Sequence, residues 1–276
     1  MTPAHFFAPC AGIFRLAQLG QAEVATLAGR TDVALGDSNY SRRMRGVGFT
    51  STGVFPIAID VERITRTRMT ALEKVLTDGP LNCLFVGRIV PNKKIEDHIR
   101  LAEVYKRYVD VNYRFIFVGK TDGVPRYYNT VRALIAEFQM PADRFWFTGP
   151  VPDEDLAAFY RTASVYVSLS EHEGFCVPLL EAMAADVPVL AYASTAIPDT
   201  LGGAGVQFQP KDLELAAELL GELAYNPQLR AEVIRGQRRR LADFGDARIR
   251  QSLSALLQGH GVQDARTTPH RDGVPS

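Results

Sequence analysis

From Leu81 onward, short apolar runs alternate with longer amphipathic ones. "LNCLFVGRI", "YRFIFVGK", "RFWFTGPV", "SVYVSLS", "VPVLAYA" and "GVQFQP" read as six strands in succession. The intervening stretches carry a helical period. "KIEDHIRLAEVYKRYV" sets Ile95, Ile99, Ala102 and Tyr105 on one face, and "RYYNTVRALIAEFQM", "DEDLAAFYRTA" (with Asp153 as its cap) and "PLLEAMAAD" follow in the same way. Strands that alternate with helices predict a parallel sheet with crossover helices on its faces. Two long helical runs, "DLELAAELLGELAYN" and "PQLRAEVIRGQRRRLADF", and a last one, "DARIRQSLSALLQ", complete this part.

The first sixty residues give less. Phe14–Gly29 reads as a helix and Asp32–Ser38 as a short buried strand. "YSRRMRGVG" reads as a short helix that Asp37, Ser38 or Asn39 could cap, and Gly53–Asp60 as another strand. Two strands cannot make an independent α/β domain, because a parallel sheet needs both faces covered. Residues 1–60 are therefore expected to be the trailing end of a larger domain, residues 61–80 a polar and partly helical linker, and residues 81–258 a doubly wound α/β unit. The polar tail, 259–276, is expected to be disordered. No internal repeat interrupts this order.

Composition narrows the function classes. The chain has 276 residues, 46% of them hydrophobic, and its 31 basic and 31 acidic side chains leave a formal net charge of +0. No global field attracts nucleic acid or an anionic membrane, so an anionic ligand must be held by local cations. Cys10, Cys83 and Cys176 are odd in number and widely spaced, as suits free thiols in a reducing compartment. Scattered histidines and the lack of a C-x-x-C pair give no metal site. No uncharged apolar run reaches the ~18 residues of a spanning helix. A cytoplasmic protein is expected. Peripheral membrane contact and oligomeric state are left open.

In an open α/β sheet, ligands bind at the carboxyl ends of the strands, and four loops there carry candidate chemistry. In "VGRIVPNKK", a strand ends at Gly87, where backbone and ligand can approach closely; Arg88 and Lys93 follow and suit a diphosphate. A solvated loop is the alternative. "FVGKTDG" repeats the strand-to-glycine ending without chemistry of its own. "FTGPVPDEDL" makes a turn at Gly149–Val151 that could present backbone groups to a flat base. The richest loop is "EHEGFCVPLLEAMA". The amides of Phe175, Cys176 and Val177 fall at a helix N-terminus, a natural anion site. Glu173 lies before that terminus and Glu181 eight positions later, inside an apolar run where an unpaired carboxylate would be costly. A hydroxyl-rich ligand would resolve that cost.

Together, "VGRIVPNKK" and "EHEGFCVPLLEAMAADVPVLA" resemble the donor-binding half of the family 4 retaining glycosyltransferases of GT-B type, whose hallmark is the E-x7-E spacing of Glu173 and Glu181. The resemblance covers about residues 50–258, and "TPAHFF", "ALGDSNYSRRM" and "VFPIAID" are similar to the end of the family's N-terminal domain. It implies a doubly wound, Rossmann-like donor domain plus a fragment of a second Rossmann-like domain. It implies that Arg88 and Lys93 bind the donor diphosphate and stabilise the departing nucleotide, where other enzymes use a metal. Glu173 would hold donor-sugar hydroxyls, and Phe175, Cys176 and Val177 would touch sugar and phosphate through their amides. Glu181 would hold the ribose hydroxyls and Gly149 to Val151 would line the base. Gly87, Gly174 and Leu179 complete the implied donor site. No metal or other cofactor is implied beyond the nucleoside-diphosphate sugar itself.

The implied reaction transfers a hexosyl group from that sugar to a hydroxyl acceptor, a sugar or a lipid-linked one, with retention at the anomeric carbon. One departure stands out: the family's N-terminal Gly-rich loop and sugar-side histidine have no counterpart here, and His5 does not replace the latter. The chain is accordingly expected to be N-terminally truncated. The alternative function is a nucleotide-sugar-binding module without activity of its own. A paired-carboxylate glycosidase is disfavoured because it gives Arg88 and Lys93 no role, and a dinucleotide oxidoreductase because no G-x-G-x-x-G follows the strand at Leu81.

Overall fold

The computed structural model of the chain describes residue 28 and residues 34–36, 44–54, 60–65 and 71–259. The chain divides into two compact units, Met1–Ala58 with Asp243–Ser276, and Ile59–Ala242. In the first unit, strands β1 (Ala34–Gly36) and β2 (Thr52–Val54) pair in parallel, with Ala34 opposite Thr52. Both overlap runs expected to be strands. The expected helix over Phe14–Gly29, its successor's candidate caps Asp37, Ser38 and Asn39, and the tail beyond 259 lie outside the described residues, Ala28 excepted.

The second unit opens with two short helices, α1 (Val61–Thr65) and α2 (Ala71–Leu76), within the connection read as partly helical. Six parallel strands follow: β3 (Leu81–Val86), β4 (Tyr113–Val118), β5 (Phe145–Gly149), β6 (Val165–Ser168), β7 (Val189–Tyr192) and β8 (Val206–Phe208). Their order across the sheet is β5-β4-β3-β6-β7-β8. The chain walks outward from β3 to β5, returns to place β6 beside β3, and walks outward the other way. The direction of winding therefore reverses between β3 and β6, the point where doubly wound sheets open a crevice at their carboxyl ends.

Crossovers α3 (Ile95–Tyr108), α4 (Pro125–Glu137), α5 (Asp153–Thr162), α6 (Val177–Ala184) and α7 (Ile197–Leu201) join the strands. Helices α8 (Leu213–Tyr225) and α9 (Pro227–Leu241) close this unit, and α10 (Asp246–Gly259) falls in the other one. The stripe on α3 is as its spacing predicts: Ile95, Ile99, Ala102 and Tyr105 are all fully buried. Every residue of β4 is buried, as expected for a strand with both faces covered. Phe115, Phe117 and Phe147 stack across β4 and β5, with centroids 6.3 and 4.8 Å apart, and the fully buried rings of Phe115 and Phe117 each contribute roughly 1.5–3 kcal/mol.

One feature departs from the sequence reading. Asp153 does not cap α5. Pro152 holds the cap position, and Asp153, Glu154 and Asp155 fill the first turn, where their charge still favours the helix dipole. The segment "IPDTL", outside every element expected from the sequence, forms α7 with its proline in the first turn. Elsewhere Asp212 and Asn226 do cap, accepting backbone N–H bonds at the starts of α8 and α9. Buried Gln237 fastens α9 to the sheet, accepting from the Val189 N–H at 2.9 Å and donating to the Val187 carbonyl at 2.8 Å.

Candidate functional site

The loops after β3 and β6 face one another because their strands are neighbours. Beyond β3 the chain passes Gly87 and Arg88 and makes a single turn, Pro91–Lys93. The backbone of this turn is tied to the loop after β6. The Glu171 N–H donates to the Asn92 carbonyl at 2.9 Å, and the Asn92 amide donates to the His172 carbonyl at 3.1 Å. With both backbones fixed, the Lys93 ammonium meets the Glu173 carboxylate at 2.5 Å, with side-chain exposures of 18% and 7%. The segment after β7 braces the same loop from behind. Thr195 Oγ1 accepts from the Glu173 N–H at 2.9 Å, and the Thr200 and Ser194 hydroxyls donate to the Phe175 and Ser170 carbonyls, each at 2.5 Å.

Glu171, just before the acid, lies between Lys94 at 3.2 Å and Lys211 at 3.2 Å. Burial works to raise its carboxyl, but the hydrogen bonds from Lys211 and then Lys94 outweigh it and hold it below the usual carboxylate range. Lys211 also reaches Asp97 and the Leu169 carbonyl, both at 2.9 Å, and lies over the Tyr192 ring. The loop is thus pinned at Glu171, Glu173 and Phe175.

The far end of the cluster is Glu181, on α6, with a side-chain exposure of 12%. The Tyr160 hydroxyl, from α5, donates to its Oε2 at 2.8 Å, and Arg63, from α1, donates to its Oε1 at 2.7 Å. Arg63 also stands 3.5 Å from Asp153, just beyond the Gly149–Val151 turn. At that turn Gly149 adopts φ +72 with open space where a Cβ would stand, while its carbonyl accepts the Gly119 N–H at 3.0 Å.

The sequence-derived residues therefore fall out as follows. Lys93 and Glu173 are brought into direct contact. Arg88 is half-buried on the same loop and makes no hydrogen bond or ion pair among the described residues. Gly174, Phe175, Cys176 and Val177 form the half-buried approach to α6, and Cys176 takes a left-handed conformation at its cap, with φ 67 and ψ 62. Burial, then the Glu173 carboxylate, pushes the Cys176 thiol well above its ordinary range, so it stays protonated. The Leu179 side chain is fully buried, and its N–H donates to the Cys176 carbonyl at 3.0 Å. Gly119, whose strand-to-glycine ending repeats that of Gly87, serves backbone packing: a Cβ there would lie 2.1 Å from the Gly87 carbonyl oxygen. Arg63, Asn92, Tyr160, Thr195 and Lys211 were not foreseen. The signal for Tyr160 was present, since a tyrosine on a helix's apolar face needs a partner for its hydroxyl. Arg63, 118 positions from Glu181, left no local sign.

Six parallel strands of this order, with the winding reversing between β3 and β6, make an α/β fold of the GT-B glycosyltransferase type. Solved structures of similar fold agree. Anabaena HepE in complex with UDP and glucose superposes with a TM-score of 0.72 at 17% identity, over 88% of this chain and 68% of that one. Sucrose-phosphate synthase from Thermosynechococcus elongatus does so with a TM-score of 0.70 at 20% identity, over 89% and 63%. The chain belongs to the family glycosyl transferases group 1, whose model matches residues 72–240. Its relatives include the O-antigen chain mannosyltransferase B of Escherichia coli, 26% identical over 59% of this chain and 46% of that protein. A GDP-mannose-dependent alpha-mannosyltransferase of Mycolicibacterium smegmatis is 36% identical over 53% of this chain and 32% of its own length. The chain thus spans less than half the length of these two relatives. Among the described residues, no helix is long and apolar enough to cross a membrane, and no group of His, Cys, Asp and Glu could hold a metal ion.

Proposed function

We propose that the chain is the donor-binding part of a retaining, family 4 glycosyltransferase that moves a hexosyl group from a nucleoside-diphosphate sugar to a hydroxyl acceptor. The observation that carries this reading is the Lys93–Glu173 contact at the switch point, 2.5 Å long and fixed on two loops whose backbones are bonded together. It sets a phosphate-seeking cation beside a hydroxyl-seeking acid, which is what one diphosphate-linked sugar demands. Arg88 and Lys93 bind the diphosphate and neutralise the charge that grows on it as the bond to the sugar breaks. Glu173 accepts hydrogen bonds from the sugar's hydroxyls and orients its anomeric carbon. The amides of Phe175, Cys176 and Val177 supply donors at the start of α6. Glu181 takes the ribose diol and the Gly149–Val151 turn takes the base. No metal enters this scheme, and a cytoplasmic site of action, on a sugar or lipid-linked acceptor, fits it.

The mannosyltransferases among the relatives make GDP-mannose the first donor to try, with UDP-glucose the second. A panel of nucleoside-diphosphate sugars, titrated against the chain and followed by ligand-observed NMR, tests the reading. One sugar nucleotide is expected to bind more tightly than its bare nucleotide, and the first-formed product with an acceptor is expected to keep the donor's anomeric configuration. Absence of binding across the panel, or an inverted product, would refute it.

A further inference from the structure

Glu181 is held more elaborately than a helix-face acid requires. Asp60 Oδ1 accepts the Arg63 N–H at 3.1 Å at the start of α1, and α1 packs on both α5 and α6. That packing delivers the Arg63 guanidinium to Glu181 Oε1 at 2.7 Å, while Tyr160, buried within α5, delivers its hydroxyl to Oε2 at 2.8 Å. A carboxylate has about four acceptor positions, two on each oxygen. Tyr160 uses one on Oε2 and Arg63 one on Oε1, so each oxygen keeps one. Two acceptors side by side on a rotationally fixed carboxylate match two vicinal hydroxyls. Burial, and then the charge on Glu181, raises the Tyr160 phenol well above its ordinary range, so the hydroxyl remains a donor.

We propose that Tyr160 and Arg63 are positioning residues that aim the Glu181 carboxylate at the ribose diol of the nucleotide. Tyr160 sets the rotation of the carboxylate from the buried side. Arg63, through its second contact with Asp153 at 3.5 Å, ties that acid to the helix that follows the turn assigned to the base. Ribose and base recognition are thereby coupled through one side chain. This inference rests on the nucleotide-sugar reading and adds two residues to it.

The test compares a ribonucleoside diphosphate with its 2′,3′-dideoxy counterpart by calorimetry on the whole chain. The ratio of the two affinities reports hydroxyl recognition and cancels general effects on fold or phosphate binding. In Tyr160→Phe, which keeps the ring, and in Arg63→Gln, a partly exposed site, ribonucleotide affinity is expected to fall by about tenfold, the worth of one charge-assisted hydrogen bond, while dideoxynucleotide affinity holds. The ratio should collapse as it does in Glu181→Gln. A ratio that collapses in Glu181→Gln but is kept in Tyr160→Phe and Arg63→Gln overturns the inference and leaves the nucleotide-sugar reading standing. Absence of nucleotide binding by the wild type, or an unchanged ratio in Glu181→Gln, overturns that reading and the inference with it. If Tyr160→Phe fails to fold, Arg63→Gln decides alone.

Discussion

At Glu173 two demands meet in one side chain. In the proposed role its carboxylate grips the sugar's hydroxyls, and in the structure its partner is the ammonium assigned to the diphosphate. On the proposed function, donor binding competes with this ion pair. Replacing Glu173 by glutamine should free Lys93. The affinity for a bare nucleoside diphosphate is expected to rise by a few-fold, while the extra affinity given by the sugar is lost. A titration in which the variant binds the bare nucleotide more weakly than wild type would contradict this. A second residue beneath the site is His98, fully buried, with Nδ1 3.0 Å from the Lys94 carbonyl and Nε2 3.2 Å from that of Val167. Burial lowers its pKa, Lys211 adds to the effect, and the two carbonyls and Asp97 oppose it. The folded state thus prefers neutral imidazole. Its contribution to stability is complete above the unfolded value of about 6.5 and is lost as pH falls below it, because the unfolded chain takes up a proton first. Melting temperature should drop from pH 7 to pH 5.5, and the drop should be shallower in His98→Gln; equal slopes would contradict this.

The elements were the most legible part of the sequence, for a physical reason. The six strands are apolar runs, so their signal survives without any alternation, and α3 announces its buried face by spacing alone. Where the sequence misled, a proline was involved: Pro152, not Asp153, holds the cap position of α5. Loop contacts between elements were not legible, since they depend on strand order rather than on neighbours in sequence. Gly119 is the clearest case: it approaches the Gly87 backbone across two loops. In Gly119→Ala the new methyl would strike a carbonyl that cannot rotate away. A destabilisation of about 2–3 kcal/mol is expected, with loss of nucleotide binding because the chain carrying Arg88 is displaced. A variant with wild-type melting and affinity would show that the two loops are free to part.

Across the whole molecule, the described parts of the site all lie within Ile59–Ala242, from Arg63 to Lys211. The fold class and the sheet were readable from the alternation of strands and helices, and the motifs named Arg88, Lys93, Glu173 and Glu181 as candidates. The struts that hold them, Arg63, Asn92, Tyr160 and Thr195, come from α1, the β3 loop, α5 and the β7 loop, and only tertiary packing assembles them. With a formal net charge of +0, the molecule offers a diphosphate no long-range attraction. On the proposed function, affinity for the nucleotide resides in these few side chains, and calorimetry with GDP and UDP measures that directly. The wild-type chain is expected to bind at least one of them. Arg88→Ala/Lys93→Ala should weaken binding by at least about 100-fold, the loss of two charge-assisted contacts, and Glu181→Ala should also weaken it markedly. Unchanged affinity in both variants would contradict the assignment of this cluster as the nucleotide site.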